Sequence, residues 1–262
     1  MVLTTTLFQA AACVALPLAH ALSQPNTHSL ERRAADAKVP LRISPLGASV
    51  TYGTGSSDGN GYRGPLRSSL TGGGGYTVNM VGFNPHGAMK DNEQDGYPGL
   101  KVAEVAGKVA RVLDELKPNL FLINAGINDC LSGSKDPDRI DADMAGLLGP
   151  IYDAEGGSTA VVLSALLVNA NADADACARR VTEKYRARVA ADAGAGHKIV
   201  IADMSAITKG DLGSDGTHPT DAGYKKMADG WYAAIRDLDG KGWISPATPV
   251  SGIPDDGNNG PP

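Results

Sequence analysis

The chain has 262 residues, a length that suits one large domain or one domain with tails. Hydrophobic residues make up 42% of it and charged residues 20%, as in globular proteins with a core of normal size. The formal net charge is −5 and the basic residues are scattered, so composition gives no support for a nucleic-acid partner or an anionic membrane surface.

The first 37 residues predict export. Residues 1–21 resemble a secretory signal, because the apolar run 7–18 is too short to span a bilayer and Ala19-His20-Ala21 supplies small residues for cleavage. Residues 22–37 predict either a short pro-segment, ending near the dibasic Arg32-Arg33, or an ordinary linker. We therefore expect a secreted, extracellular protein that has no membrane contact once the signal is removed.

From residue 38 onward, short apolar runs alternate with longer segments of helical period. The apolar runs predict strands over residues 41–46, 76–81, 119–124, 160–168 and 198–204. The periodic segments predict helices over residues 62–70, 100–116, 138–152, 173–193 and 219–238. Residues 82–99 are rich in Gly, Pro, Asn and Asp and predict a long loop, while the Pro/Gly-rich residues 245–262 predict a disordered tail.

This alternation predicts an α/β domain over residues 38–244, with a five-stranded parallel sheet between two helical layers. We expect a three-layer, flavodoxin-like arrangement with strand order 2-1-3-4-5. Architecture of this kind says nothing about chemistry by itself.

Four polar or glycine-containing clusters follow strands or precede the last helix. They are Ser49 after strand one, Gly82 after strand two, Gly126-Ile127-Asn128-Asp129 after strand three, and Asp215-Gly216-Thr217-His218-Pro219. Each has a plain structural reading: Ser49 as a helix cap, Gly82 as a strand end, and the other two as turns or caps. Because loops after parallel strands share one edge of the sheet, all four are expected to meet there.

A serine hydroxyl attacks an ester only when a base takes its proton. The mature chain, expected to begin near residue 34, has three histidines, namely His86, His197 and His218. His197 precedes strand five, at the wrong end of the sheet, and His86 has no orienting acid nearby in sequence. His218 has Asp215 three residues before it, a spacing that lets the carboxylate reach Nδ1 while Nε2 faces a serine. We therefore predict Ser49 as nucleophile, His218 as base and Asp215 as its partner.

The tetrahedral intermediate of acyl transfer needs hydrogen-bond donors for its oxyanion. The backbone N–H groups of Ser49 and Gly82 and the side-chain amide of Asn128 are the predicted donors.

Two cysteines remain after the predicted signal, Cys130 and Cys177. In an oxidising compartment this even pair predicts one disulfide, and the alternative is two free buried thiols.

These four clusters resemble the four sequence blocks of the SGNH hydrolases, the GDSL esterase/lipase family. The segments DGNGYRGPLRSSL, DNEQDGYPG and DGTHPTDAGYKKMADGWYAAI are similar to the branch that includes carbohydrate esterase family 3 acetylxylan esterases. The resemblance implies the SGNH hydrolase fold, a Ser49, Asp215, His218 triad, and an oxyanion hole formed by Ser49, Gly82 and Asn128. It also implies chemistry without a metal or a cofactor.

The chain departs from the family pattern at several places. Ala48 stands where the first block carries Asp, and Ile127 stands where Thr is common. Tyr97 and Leu100 replace the His and the aromatic residue often found in the acetylxylan esterase loop. None of these residues belongs to the triad, so the departures bear on substrate and rate.

The expected function is that of a secreted serine esterase that works through an acyl-enzyme and removes acetyl groups from plant cell-wall polysaccharide such as acetylxylan. Two alternatives stay open: a lipase or general carboxylesterase, and a catalytically weakened polysaccharide-binding relative. The expected partner is a small ester or an acetylated polysaccharide, and the expected state is a monomer.

Overall fold

The computed structural model describes residues 1–2, 38–132 and 135–254. Nearly all of the predicted signal (1–21) and of the predicted pro-segment or linker (22–37) lies outside these residues, so both assignments stay predictions. Residues 255–262 of the predicted tail lie outside them as well.

Within the described residues, six strands form one parallel sheet. They are β1 (Leu41–Gly47), β2 (Val78–Met80), β3 (Asp95–Gly96), β4 (Leu120–Asn124), β5 (Ala160–Ser164) and β6 (Ile199–Ala202). The hydrogen-bonded order is β2-β1-β4-β5-β6, with β3 paired to β1 off this path. Without β3 this is the predicted 2-1-3-4-5 order, which is confirmed.

Seven α-helices connect the strands in the described part of the chain. They are α1 (Ser49–Tyr52), α2 (Arg63–Thr71), α3 (Val102–Glu115), α4 (Ile127–Ser132), α5 (Pro137–Asp153), α6 (Ala172–Gly194) and α7 (Asp221–Gly240). Short 3₁₀ turns lie at Ala154–Gly157 and Lys209–Asp211.

Two hydrophobic cores cover the two faces of the sheet. Along β4, Leu120 and Leu122 face the core shared with α2 and α7, while Phe121 and Ile123 face the core shared with α3, α5 and α6. Both faces of β4 are therefore buried, which is why its sequence is a continuous apolar run rather than an alternating one. The result is the predicted three-layer α/β/α arrangement.

The predicted loop over residues 82–99 contains one element that the sequence did not indicate, strand β3. Asp95 and Gly96 pair with Leu46 and Gly47 at the carboxyl end of β1. A two-residue strand is too short to produce a period-2 pattern, and here it forms through main-chain pairing alone.

Residues 245–254, the described part of the predicted tail, contact the body of the domain. Their carbonyl groups accept hydrogen bonds from buried side chains: Thr248 from Arg42 at 2.8 Å, Ser245 from Asn119 at 2.8 Å and Pro254 from Asn79. The Pro/Gly composition prevents a helix or strand here, but it leaves carbonyls free to satisfy polar side chains in the body of the domain.

No helix among residues 38–132 and 135–254 is long and apolar enough to cross a lipid bilayer.

Candidate active site

Ser49 is the first residue of α1, directly beyond the carboxyl end of β1. Gly47 makes the turn between them possible, because a Cβ atom there would lie 2.2 Å from the carbonyl oxygen of Asn124 on the neighbouring strand. The first main-chain hydrogen bond of α1 runs from Tyr52 N–H to the Ala48 carbonyl, so the Ser49 N–H lies ahead of the helical ladder. Ala48 is buried and offers no capping side chain.

His218 brings its imidazole to Ser49 across the carboxyl edge of the sheet. Its Nε2 atom lies 2.7 Å from the Ser49 Oγ atom, and its Nδ1 atom lies 2.6 Å from Asp215 Oδ2. A carboxylate accepts a hydrogen bond from Nδ1–H, which leaves the unprotonated Nε2 as the acceptor for the serine hydroxyl. The three residues predicted as a triad are thus joined in one chain of hydrogen bonds.

Asp215 is held by its own loop. Its Oδ1 atom accepts the backbone N–H groups of Thr217 at 2.9 Å and His218 at 3.0 Å, while its side chain is 52% exposed. Partial burial alone would raise the pKa of Asp215, but the hydrogen bonds from the His218 ring and from these two N–H groups outweigh it and lower the pKa to about 2. The carboxylate is therefore ionised at every pH at which the protein is expected to work.

The three predicted oxyanion donors follow three neighbouring strands, in the order β2-β1-β4. Gly82 follows β2, and a Cβ atom there would lie 2.2 Å from the backbone carbon of Gln94, so only glycine fits. Asn128 lies in α4 after β4, and its amide donates one hydrogen to the Leu100 carbonyl at 2.9 Å. This contact fixes the amide plane, and the second hydrogen of the NH₂ group is left for another acceptor.

Asp129 and Cys130 anchor the short helix that carries Asn128. Asp129 is buried, and its carboxylate accepts the N–H of Val102 at the start of α3 at 3.1 Å. Burial raises the pKa of Asp129 above its ordinary value. Cys130 forms a disulfide with Cys177 of α6, with the two Cα atoms 5.6 Å apart, which confirms the predicted bridge over two free thiols.

Sequence reasoning missed the part played by Arg63, which is completely buried at the start of α2. Its guanidinium donates to five main-chain carbonyls, those of Thr51, Tyr52, Gly59, His86 and Asn92, at 2.8–3.2 Å. Two of these belong to the helix that Ser49 begins. The quoted segment DGNGYRGPLRSSL contains Arg63, but nothing in it signals burial, since arginine is seldom fully buried.

The other two histidines are engaged elsewhere. The ring of His86 stacks on Tyr52 with centroids 3.8 Å apart, and that of His197 stacks on Tyr152 at 3.9 Å. In the part of the chain that the structure describes, no group of three or more His, Cys, Asp or Glu residues is arranged to hold a metal ion.

Comparison with known proteins places these features in a family. Residues 46–226, which include every predicted site residue, match the GDSL-like Lipase/Acylhydrolase family. A curated relative, the "Multidomain esterase" of Ruminococcus flavefaciens, is 24% identical in an alignment of 251 residues that covers 84% of this chain. The chain spans about a third of that relative's length, 32%.

Solved structures of similar fold include two carbohydrate esterases. The "Clostridium thermocellum family 3 carbohydrate esterase" is 23% identical, with a TM-score of 0.66 over 77% of this chain and 98% of that one. A carbohydrate esterase family 3 protein from Talaromyces cellulolyticus is 21% identical, with a TM-score of 0.66 over 77% of this chain and 99% of that one. These likenesses establish the SGNH hydrolase fold.

The family match covers most of the chain, and the hydrogen-bonded serine and histidine lie inside it. The chain therefore belongs to the GDSL-like lipase/acylhydrolase family.

Proposed function

We propose that this protein is a carboxylic ester hydrolase, that it is secreted and that it removes acetyl groups from plant cell-wall polysaccharide, with Ser49, His218 and Asp215 as its catalytic triad. The observation that carries the proposal is the continuous chain of hydrogen bonds from Ser49 Oγ through the His218 ring to Asp215, at 2.7 and 2.6 Å. A serine that merely capped a helix would need neither contact.

The chemistry follows from this geometry. Ser49 Oγ attacks the ester carbonyl carbon while its proton passes to His218 Nε2, and Asp215 stabilises the resulting imidazolium. The N–H groups of Ser49 and Gly82 and the Asn128 amide donate to the oxyanion, each donor typically worth about 3–4 kcal/mol. His218 then protonates the leaving alcohol. Water attacks the acyl-enzyme by the same route in reverse, and the carboxylic acid leaves.

Exposure of the triad supports a polymeric substrate. The Asp215 side chain is 52% exposed and that of His218 is 17% exposed, so these two members of the triad reach the protein surface. A bulky alcohol such as a sugar chain can reach a site of this kind, and only the acetyl group needs to enter it.

A polar groove lined in part by the loop that follows α1 also suits a sugar chain. Its volume is about 480 Å³, and Asp58, Asn60 and Arg67 are among its lining residues. Asp58 and Asn60 lie in the same loop as Gly55, where a Cβ atom would come within 3.1 Å of the His218 Cβ atom. Amide, carboxylate and guanidinium groups are suitable partners for sugar hydroxyls. The relatives named as carbohydrate esterases point to the same substrate class.

Secretion is part of the proposal. It is supported by the signal-like sequence of residues 1–21 and by the disulfide between Cys130 and Cys177, since disulfides persist in oxidising compartments.

The test compares acyl donors on one preparation of the full chain. Hydrolysis of p-nitrophenyl acetate, butyrate and octanoate is measured beside acetate release from acetylated xylan. We expect kcat/KM to fall with acyl length and acetate to be released from the polymer. Rates that rise with acyl length, with no release from xylan, would replace the proposal with a lipase or general carboxylesterase. Xylan binding without hydrolysis of any ester would indicate a weakened binding relative.

A further inference from the structure

The loop that carries Asp215 and His218 is attached to the domain by a neighbour with no assigned role, Asn169. This residue lies in the segment that follows β5, and it is 1% exposed. Its Nδ2 atom donates to Thr217 Oγ1 at 3.1 Å. Thr217 lies between the two loop members of the triad and donates its own N–H to Asp215 at 2.9 Å.

The other polar atoms of Asn169 are fixed from the opposite side. Its N–H donates to the buried carboxylate of Asp175 in α6 at 3.0 Å, and its Oδ1 accepts the N–H of Asn171 at 2.9 Å. Because Oδ1 accepts the Asn171 N–H, the side-chain amide is held in one orientation, with its NH₂ group directed at Thr217. A rigid helix is thereby connected to the catalytic loop through one side chain.

The main chain adds a second attachment at the same point. The Ala170 N–H donates to the Gly216 carbonyl at 2.8 Å, and a Cβ atom at Gly216 would lie 2.4 Å from the Ala170 Cβ atom. The loop needs such support because the Asp215 side chain is half exposed, and water competes for hydrogen bonds at an exposed carboxylate.

We infer that Asn169 is a positioning residue of the esterase, which acts through the Thr217 hydroxyl to hold the Asp215 and His218 loop at its reactive distance from Ser49. The inference rests on the proposed triad. It assigns Asn169 no contact with substrate, so its loss should lower turnover and leave substrate affinity intact.

Four single variants of the full chain, and the double variant Asn169→Ala, Thr217→Val, separate this role from general stability. Thr217→Val removes the hydroxyl and keeps the backbone N–H that Asp215 accepts, while Thr217→Ser restores a hydroxyl. Asn169→Ala removes the amide. Asn171→Ala is the matched control. The Asn171 side chain caps α6 by accepting the Ala174 N–H at 2.9 Å, and it has no hydrogen bond to the catalytic loop. The readouts are kcat and KM for p-nitrophenyl acetate and the thermal midpoint.

Thr217→Val and Asn169→Ala should each lower kcat by ~10-fold or more with KM nearly unchanged, since displacement of a catalytic group by about 1 Å costs up to ~100-fold. The double variant should be no slower than the slower single one, because both remove the same contact. Thr217→Ser should retain more of the kcat than Thr217→Val. Asn171→Ala should lower the thermal midpoint and leave kcat within about twofold.

The inference fails if Thr217→Val and Asn169→Ala keep kcat near wild type, if their losses multiply in the double variant, or if Asn171→Ala reproduces them. If Asn169→Ala does not fold, the kcat values of Thr217→Val and Thr217→Ser test the inference by the same criteria. Ser49→Ala is measured in parallel: if that variant stays active, the proposed triad itself is wrong, whatever Asn169 does.

Discussion

The Nε2 atom of His218 lies 2.7 Å from the Oγ atom of Ser49, although 169 positions separate the two residues in sequence. The parallel sheet creates this contact. Ser49 follows β1, and the loop that carries His218 follows β6, so both lie at the carboxyl edge of the strands. Along that edge, Asp215 orients the imidazole. Gly47 lets the chain approach Asn124 of the neighbouring strand closely, and Gly82 lets it approach the main chain of Gln94.

Asp215 should make stability depend on acid pH in a defined direction. Its pKa is about 2 in the folded protein, below the ordinary value of 3.8, so the unfolded chain takes up the proton first as the pH falls. The contribution of the ionised carboxylate to stability is therefore complete above about pH 4 and is lost as the pH falls towards 2.

The measurement is the urea midpoint of wild type and Asp215→Asn at several pH values from 2 to 6. We expect wild type to be the more stable at pH 6 and the difference to shrink below about pH 4. A difference that stays constant or grows in acid contradicts the hydrogen-bonding of Asp215 described above.

Arg63 should be essential for stability, because its buried guanidinium satisfies five carbonyl groups that lie in three separate segments. Arg63→Met leaves these carbonyls without their donor, and we expect a loss of about 3 kcal/mol or more in the free energy of unfolding. Urea unfolding followed by circular dichroism measures this free energy.

Arg139→Met is the control. Arg139 is 67% exposed in an i,i+4 pair with Asp143, and its loss should cost less than about 0.5 kcal/mol. Equal effects of the two substitutions would show that the Arg63 contacts contribute nothing.

Reduction of the disulfide should destabilise the domain and disturb the helix that carries Asn128. Cys130 and Cys177 are 47 residues apart, and a loop of this length corresponds to about 4 kcal/mol in the chain-entropy description. The Cys130→Ala, Cys177→Ala double variant should therefore unfold at lower urea concentration than the oxidised wild type. Wild type kept reduced should behave like the variant. If oxidised, reduced and variant proteins unfold together, the bridge has no part in stability.

Gly82 should tolerate no side chain, since a Cβ atom would lie 2.2 Å from the backbone carbon of Gln94 and the strand end would have to move. We expect Gly82→Ala to lower kcat for p-nitrophenyl acetate by ~100-fold through displacement of a proposed oxyanion donor. The matched control is Gly107→Ala in α3, where nothing lies within 4 Å of the added atom. That change should leave kcat intact and add about 0.5–1 kcal/mol of stability. A Gly82→Ala enzyme as active as the control would remove Gly82 from the proposed oxyanion hole.

The sheet order and the meeting of Ser49 with His218 could be predicted because both follow from general rules. β4 and β5 are continuous apolar runs, and parallel strands separated by helices place their following loops on one edge. Strand β3 could not be predicted, because two residues paired through main chain leave no pattern in their side chains. The carbonyl contacts of residues 245–254 could not be predicted either. Nor could the burial of Arg63, because it depends on carbonyls that are brought together only in the folded protein.

The central claim is that Ser49 is the nucleophile, and the kcat of Ser49→Ala with p-nitrophenyl acetate tests it most directly. Removal of the Ser49 Oγ atom, which His218 Nε2 contacts, should lower kcat by ~10⁴–10⁶ while circular dichroism and the thermal midpoint stay close to wild type. A folded Ser49→Ala protein that hydrolyses the ester at the wild-type rate would contradict the account.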